Sequence, residues 1–309
     1  MMPANVAATQ TARLVIVTED RYRTLDADNW YHAQIAREEG LLLAALEARG
    51  VVVERCSWSD PAVDWARFDA AVVRSTWDYF ERHDEFAAWL ERVSAATRLI
   101  NDARLMRWNA DKRYLGKLAA AGIAVVPTRF VERGEAVTLA QIGAECGWQE
   151  MVFKPVVSGA GRLTYRVGLA VSAADEANFA ACVAAENMMV QRFEPSIMTA
   201  GEVSVIVIDG VATHAIRKTA RSGEFRVQDD HGGTVHPHQP SEQERAFAQA
   251  AVAACPWPPL YARVDFVAPA AGEFRLMELE LIEPELFFRF EPTAAEALAA
   301  AIVADQASH

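Results

Sequence analysis

The strongest constraint on the fold is the way short apolar runs alternate with helix-length segments through the first hundred residues. Strand-like runs at 14–18, 51–55, 70–74 and 98–100 are separated by helical patterns at 41–49 and 84–95. Strands joined through helices cannot pair by tight hairpins, so the pattern predicts a parallel sheet. In such sheets ligands bind beyond the carboxyl ends of the strands, which makes 18–30 and 74–79 the loops expected to carry a site. Residues 1–13 show no periodicity and are expected to form a mobile tail.

After residue 104 the pattern changes. A helix is expected over 111–121 and a strand over 151–154, with a glycine-containing turn at Ser158, Gly159 and Gly161. Strands then dominate at 188–193, 202–208, 211–216, 263–267 and 274–280, with Asp209-Gly210 as a hairpin signal and a closing helix over 294–304. Hairpin-linked strands predict an antiparallel sheet, so the chain combines α/β and α+β organisation.

Charge and composition exclude several classes of function. Among 309 residues, 42 are acidic and 30 are Lys or Arg, a formal charge of -12 that repels nucleic acid unless a basic patch is segregated, and no such run exists. No apolar stretch approaches the ~20 residues needed to span a bilayer, and no basic-then-apolar leader opens the chain, so no membrane partner and a cytoplasmic location are expected. Cys56, Cys146, Cys182 and Cys255 form no C-x-x-C pair, which predicts reduced, structural thiols. His231, His236 and His238 lack a further ligand at zinc spacing, so no zinc site is expected.

Three groups of residues carry chemistry. Lys154 ends an apolar strand just before the glycine turn, where backbone N–H groups approach an anion closely and the lysine adds a mobile positive charge. Asp265, Glu278 and Glu280 fall on two strands, the last two on one face, and suit magnesium, which bridges a few carboxylates to phosphates. Between them Arg217, Lys218 and Arg226 supply cations for a transferring phosphoryl group and a substrate carboxylate. Earlier, Arg74, Ser75, Trp77 and Asp78 suit a small zwitterion: Arg for a carboxylate, Asp for an ammonium, an aromatic wall against water. Each group has a plainer reading: a simple turn, a solvated acidic edge continued by Glu283 and Glu285, a solvated hairpin tip, or a core tryptophan beside a salt bridge.

Taken in order, Lys112, Lys154, Gln191-Arg192-Phe193-Glu194, Glu202, Arg226, Asp265, Glu278 and Glu280 resemble the ATP-grasp superfamily over residues 105–285. The stretch 215–233 is similar to the glutathione-synthetase and glutamate-ligase branch. Residues 73–79, Asn101, 107–114 and 280–287 look like the ATP-grasp group containing O-ureidoserine cyclo-ligase. The resemblance implies an ATP-grasp fold with an N-terminal parallel-sheet substrate domain over 14–104, a lid subdomain with its connecting helix over 105–190, and a catalytic antiparallel-sheet subdomain over 191–309. It further implies ATP and magnesium as cofactors. Lys112, Lys154, Ser158, Gly159 and Gly161 would lie on the phosphates, Gln191, Arg192, Phe193 and Glu194 beside adenine, Glu202 near the ribose, and Asp265, Glu278 and Glu280 on the metal. The family more often has Asn where Glu280 and Gln228 stand.

The activity so implied is an ATP-dependent carboxylate-amine ligase acting through an acyl phosphate on a small amino-acid-like substrate, with ring closure of a serine-derived amino acid, O-ureidoserine to cycloserine, as the preferred reaction. An intermolecular peptide ligase, a small-molecule phosphotransferase and a non-catalytic nucleotide-binding protein remain as alternatives, and a homo-oligomer is compatible with the sequence.

Overall fold

A computed structural model describes residues 11–307 apart from 169, 222 and 228–231; the expectations for residues 1–10, Gln228 and His231 lie outside the described residues. Strands β1 (Arg13–Thr18), β2 (Val52–Ser57), β3 (Ala70–Ser75) and β4 (Arg98–Ile100) form a parallel sheet in the order β2-β1-β3-β4. Arg13, expected in the tail, opens β1. The carboxyl ends of β1 and β3 lie side by side, Thr18 opposite Ser75, and the first crossover is α1 (Trp30–Glu47). This helix begins well before the expected residue 41. Asn29 caps it by accepting from the backbone of Tyr31 at 2.9 Å, and Gly40 within it weakens the helical signal of the first half. Residues 58–69 join β2 to β3 without an α-helix, and α2 (His83–Ser94) carries the chain from β3 to β4.

The helix expected over 111–121 is α4 (Tyr114–Ala120), and a further helix that was not expected, α3 (Ala103–Ala110), precedes it. Asp102 caps α3 through Arg104 N at 2.7 Å, and Asp111 adopts an extended backbone that separates the two. A second sheet, antiparallel and ordered β5-β8-β6-β7, contains β5 (Thr128–Val131), β6 (Met151–Pro155), β7 (Tyr165–Val167) and β8 (Met188–Arg192), backed by α5 (Leu139–Cys146) and α6 (Ala173–Ala185). Its core includes Met151, Phe153, Phe179 and Val190.

The third sheet is antiparallel with five strands in the order β11-β10-β9-β12-β13, where β9 is Glu202–Ile208, β10 Val211–Thr219, β11 Thr234–His238, β12 Tyr261–Ala270 and β13 Glu273–Glu280. Asp209-Gly210 makes the hairpin between β9 and β10. Helices α7 (Ser196–Thr199), α8 (Glu242–Ala253) and α9 (Pro292–Ala307) complete the described chain, and none of its helices is long and apolar enough to cross a membrane.

Buried polar side chains join the sheets. Asn101 donates to Tyr261 O and Leu281 O, both at 2.9 Å, and accepts from Leu260 N at 2.6 Å. Asn109 donates to Leu279 O at 2.7 Å and accepts from Leu281 N at 2.9 Å. Around them one apolar cluster unites Leu14, Leu42, Val72, Ile206, Phe288 and Leu298 from the first and third sheets. Satisfied amides at such a seam hold it in register, because slippage would leave buried groups unpaired at a cost of about 1–3 kcal/mol each.

Candidate active site

A single cleft is lined by all three sheets, by α1 and by the segment 281–288. Side-chain alternation explains its contents. In β6, Met151 and Phe153 enter the core of the second sheet, so Lys154 projects the other way, into the cleft. In β13, Leu279 is buried and its N–H donates to the Tyr114 hydroxyl at 2.8 Å, leaving Glu278 and Glu280 together on the cleft face. The register pairs Asp265 with Glu278 and Arg263 with Glu280 across β12 and β13.

Two lysines remote in sequence meet one of these carboxylates. Lys112 Nζ lies 2.9 Å from Glu278 Oε1, and Lys154 Nζ lies 3.9 Å from Glu278 Oε2. Lys112 also donates to Ser158 O at the start of the glycine turn. Burial disfavours the charge on Lys154 and lowers its pKa, with Glu278 opposing the shift. Burial works against the Glu278 charge too, but Lys112 and Lys154 hold its carboxyl below the ordinary carboxylate value. The three groups therefore form a compact charged array, and an arriving polyanion gains two cations if the Glu278 carboxylate is shared with a metal or displaced from them.

A second array lies beside it. Lys218 Nζ sits 3.0 Å from Glu202 and 3.1 Å from Asp265, while Arg263 contacts Asp265 at 3.0 Å and also pairs with Glu280. Against the cost of burial, Arg263 and Lys218 keep Asp265 well below its usual value. Burial pushes Glu280 up to about 7 despite Arg263, and pushes Glu283 up to about 8 with Glu280 adding to the shift. Among the described residues no three His, Cys, Asp or Glu side chains are gathered to hold an ion, because each carboxylate is turned toward a protein cation. The expected trio is thus not a ready-made cage. The donor set still fits magnesium, which takes hard oxygen ligands and usually only one or two carboxylates alongside phosphate oxygens and water.

The glycine turn covers this region. Ser158 Oγ donates to Arg162 O at 3.1 Å, and Arg162 pairs with Glu186 at 2.8 and 3.0 Å. A Cβ on Gly159 would stand 2.5 Å from a ring carbon of Phe80, so the turn packs on the N-terminal domain at a distance only glycine permits. Gly161 takes a φ of 68°. Next to the turn, Gln191 donates to Thr128 Oγ1 at 3.1 Å, Phe193 is buried, and Glu194 accepts from Arg192 at 2.6 Å and Arg275 at 2.7 Å. All four residues 191–194 line the cleft, as do Glu202, Lys218 and Arg226, the last held by Glu224 at 2.8 and 3.1 Å.

At the opposite end stand Arg74, Ser75 and Trp77. Arg74 donates to Pro284 O at 2.7 Å and reaches Glu38 at 3.3 Å; Ser75 Oγ donates to Glu39 at 2.5 Å; Trp77 Nε1 donates to Glu283 O at 3.1 Å. Burial raises Glu38 to about 7 although Arg74 opposes it.

Two expected residues do not join the cleft. Asp78 turns into the N-terminal domain, accepting from Trp58 Nε1 at 2.7 Å and Arg82 at 3.1 Å, because it follows Trp77 by one position and the polar partners lie on its own side. Arg217 neighbours Lys218 on β10 and so points to the other face, donating to Ala200 O at 2.6 Å. His236 and His238 bond to Thr234 and Glu244. Conversely, Tyr31, Gln34, Glu38 and Glu39 line the cleft without having been singled out. Their signal was the Asn29 cap, which starts α1 early enough to bring them there.

Comparisons with known proteins agree with this architecture. Residues 14–101 match the family of the D-cycloserine synthetase DcsG N-terminal domain, and residues 117–254 match the prokaryotic glutathione synthetase ATP-grasp domain. The chain is 36% identical over 279 residues to cycloserine biosynthesis protein DcsG of Streptomyces lavendulae, covering 84% of this chain and 91% of that protein. It superposes on the crystal structure of D-cycloserine synthetase DcsG with a TM-score of 0.81 at 33% identity, covering 96% of this chain and 100% of the other. The fold is shared more distantly with D-alanine--D-alanine ligase of Bacillus anthracis in complex with ATP (TM-score 0.69, 14% identity, 96% and 98% coverage). It is also shared with the ATP-grasp ligase PsnB bound to a precursor variant, magnesium and ADP (TM-score 0.62, 20% identity, 95% and 98% coverage). The chain is a ligase-type enzyme and belongs to the ATP-grasp family, in the group of the DcsG proteins.

Proposed function

We propose that the enzyme uses ATP and magnesium to convert the carboxylate of a serine-derived amino acid such as O-ureidoserine to an acyl phosphate, which an internal nitrogen attacks to close a cycloserine-type ring. The observation that carries this reading is the meeting of Lys112, Lys154 and Glu278 under the glycine turn, in a cleft whose far end carries Arg74 and Trp77.

In this reading Lys112, Lys154 and the backbone of Ser158, Gly159 and Gly161 bind the phosphates, Gln191, Arg192, Phe193 and Glu194 flank the adenine, and Glu202 faces the ribose. Magnesium, when bound through Glu278, Glu280 and Asp265, supplies neutralisation of phosphate charge. Arg226 and Lys218 orient the substrate carboxylate and offset the charge that builds on the transferring phosphoryl group, an effect worth on the order of 100- to 1000-fold per donor. Arg74, Ser75 and Trp77 position the amino acid so that its carboxylate oxygen faces the γ-phosphate. Phe80 and the glycine turn keep water away from the acyl phosphate. The nitrogen then adds to the acyl carbon, loses its proton and expels phosphate, and water removes the carbamoyl group it carries as carbon dioxide and ammonia to leave the cycloserine ring; no protein nucleophile is required.

Purified protein given O-ureidoserine, ATP and magnesium is expected to yield ADP, phosphate and cyclised product. AMP in place of ADP would exclude the acyl-phosphate route. An absolute requirement for a second amino acid would replace cyclisation by intermolecular ligation, and a stable phosphorylated product would replace ligation by phosphotransfer.

A further inference from the structure

The segment 281–288 runs from Glu280 toward the N-terminal sheet, which fixes its path. Trp77 holds Glu283 O, Arg74 holds Pro284 O, and Glu38 accepts from the backbone of Leu286 at 2.7 Å and Phe288 at 2.9 Å. Pro284, Leu286 and Phe288 are buried, and the intervening Glu283 and Glu285 face the cleft. Glu285 is engaged by Arg289. Glu283 is different: among the described residues its carboxylate has no cation within 4.0 Å and no hydrogen bond to another residue. Lys112 and Arg263 favour its charge only from beyond that distance, so a cationic group placed in contact with it is the partner this half-buried wall lacks.

Arg74 shows the complementary deficit. It is 3% exposed, lines the same part of the cleft, and its Nε and Nη1 reach no acceptor. Buried donors left unpaired cost about as much as the hydrogen bonds they forgo, so this end of the cleft lacks both an acceptor for Arg74 and a cation for Glu283. A zwitterion supplies both.

Resting on the ligase reading above, we infer that Glu283 binds the protonated amine of the amino-acid substrate, while Arg74 donates to an oxygen of the same molecule. Glu283 thereby takes the part that Asp78 is turned away from, and Trp77, whose indole N–H is tied to the Glu283 backbone, forms the wall beside the amine.

The test is steady-state ADP release by wild type, Glu283→Gln and Glu283→Asp, with the amino acid and with its analogue lacking the amine. For Glu283→Gln, KM for the amino acid should rise ~10- to 100-fold, the value of a charged hydrogen bond, with partial recovery in Glu283→Asp. KM for ATP and the magnesium midpoint should stay at wild-type values, and the amine-free analogue should be used equally by wild type and Glu283→Gln. An unchanged amino-acid KM overturns the inference, and so does a raised magnesium midpoint, which would assign Glu283 to the metal. Loss of discrimination in neither variant, with thermal midpoints unchanged, overturns it as well. If wild type itself releases no ADP with any amino acid, it is the proposed function that fails, a result separate from these.

Discussion

At one end of the cleft Lys154 and Glu278 project from regular strands and Lys112 from the turn before α4, both lysines already paired with Glu278, whereas at the other end Arg74, Trp77, Glu38 and Glu283 come from a strand, a loop, a helix and an irregular segment, with donors and acceptors still open. In the proposed reading the lysine end is preorganised for the phosphates of ATP. The Trp77 end is assembled across the seam between two sheets, and small changes there alter which small molecule fits without disturbing the charged array. A scaffold divided in this way keeps phosphoryl chemistry constant while specificity varies.

The largest expected effect lies at the lysine end. Lys154→Ala or Glu278→Ala should lower kcat by ~100- to 1000-fold or more in an ADP-release assay, with circular dichroism and thermal midpoint near wild type. Near-normal turnover in either would break the contrast at once. Chelation of magnesium should abolish ADP release, and restored magnesium should return it.

Gly159→Ala comes next. Its methyl group would meet the Phe80 ring at 2.5 Å, so the turn must lift, and kcat is expected to fall ~10- to 100-fold with more ATP hydrolysed per product formed. Trimming the ring with Phe80→Leu should restore part of the loss. No rescue would mean that the turn does not act against the N-terminal domain.

Smaller effects test the two residues that point away. Asp78→Asn weakens contacts to Trp58 and Arg82 and should lower stability by roughly 1–2 kcal/mol while leaving KM for the amino acid within about threefold of wild type. Arg217→Gln should change kcat by less than about threefold, since its partners, Ala200 O and His238 Nδ1, lie outside the cleft. A large KM change in the first or a large kcat change in the second would return those residues to the site.

The smallest effect concerns the seam. His214 Nε2 donates to Leu286 O, 2.9 Å away, and burial lowers its pKa. The unfolded chain therefore takes up the proton first, at about pH 6.5, and stability present above that value is lost as pH falls through the folded value. Denaturant midpoints measured from pH 7.5 to 5.5 should decline less steeply in His214→Gln.

Much of the lysine end was legible in the sequence: alternation along β13 puts Glu278 and Glu280 on one face and Lys154 ends a strand before the glycine turn, whereas Lys112 entered only through the family resemblance. The parallel sheet was legible for a different reason, the helix-length segments between its strands, which exclude tight hairpins. The Trp77 end was only half legible. Arg74, Ser75 and Trp77 stand at a strand end, where site residues are expected, but the direction of Asp78 depends on Trp58 and Arg82, and that of Glu38 and Glu39 on where α1 begins. Glu283 reads as part of an acidic run until the contacts of Trp77, Arg74 and Glu38 show how its segment is threaded. Local periodicity cannot encode such a seam, because each partner lies more than 200 residues away in the chain.

The most direct measurement is the fate of oxygen in the reaction. With substrate carrying 18O at both carboxylate oxygens, formation of an acyl phosphate requires one labelled oxygen to leave with phosphorus. One 18O is expected in the inorganic phosphate for each ring closed. Product formed alongside wholly unlabelled phosphate would contradict the acyl-phosphate route.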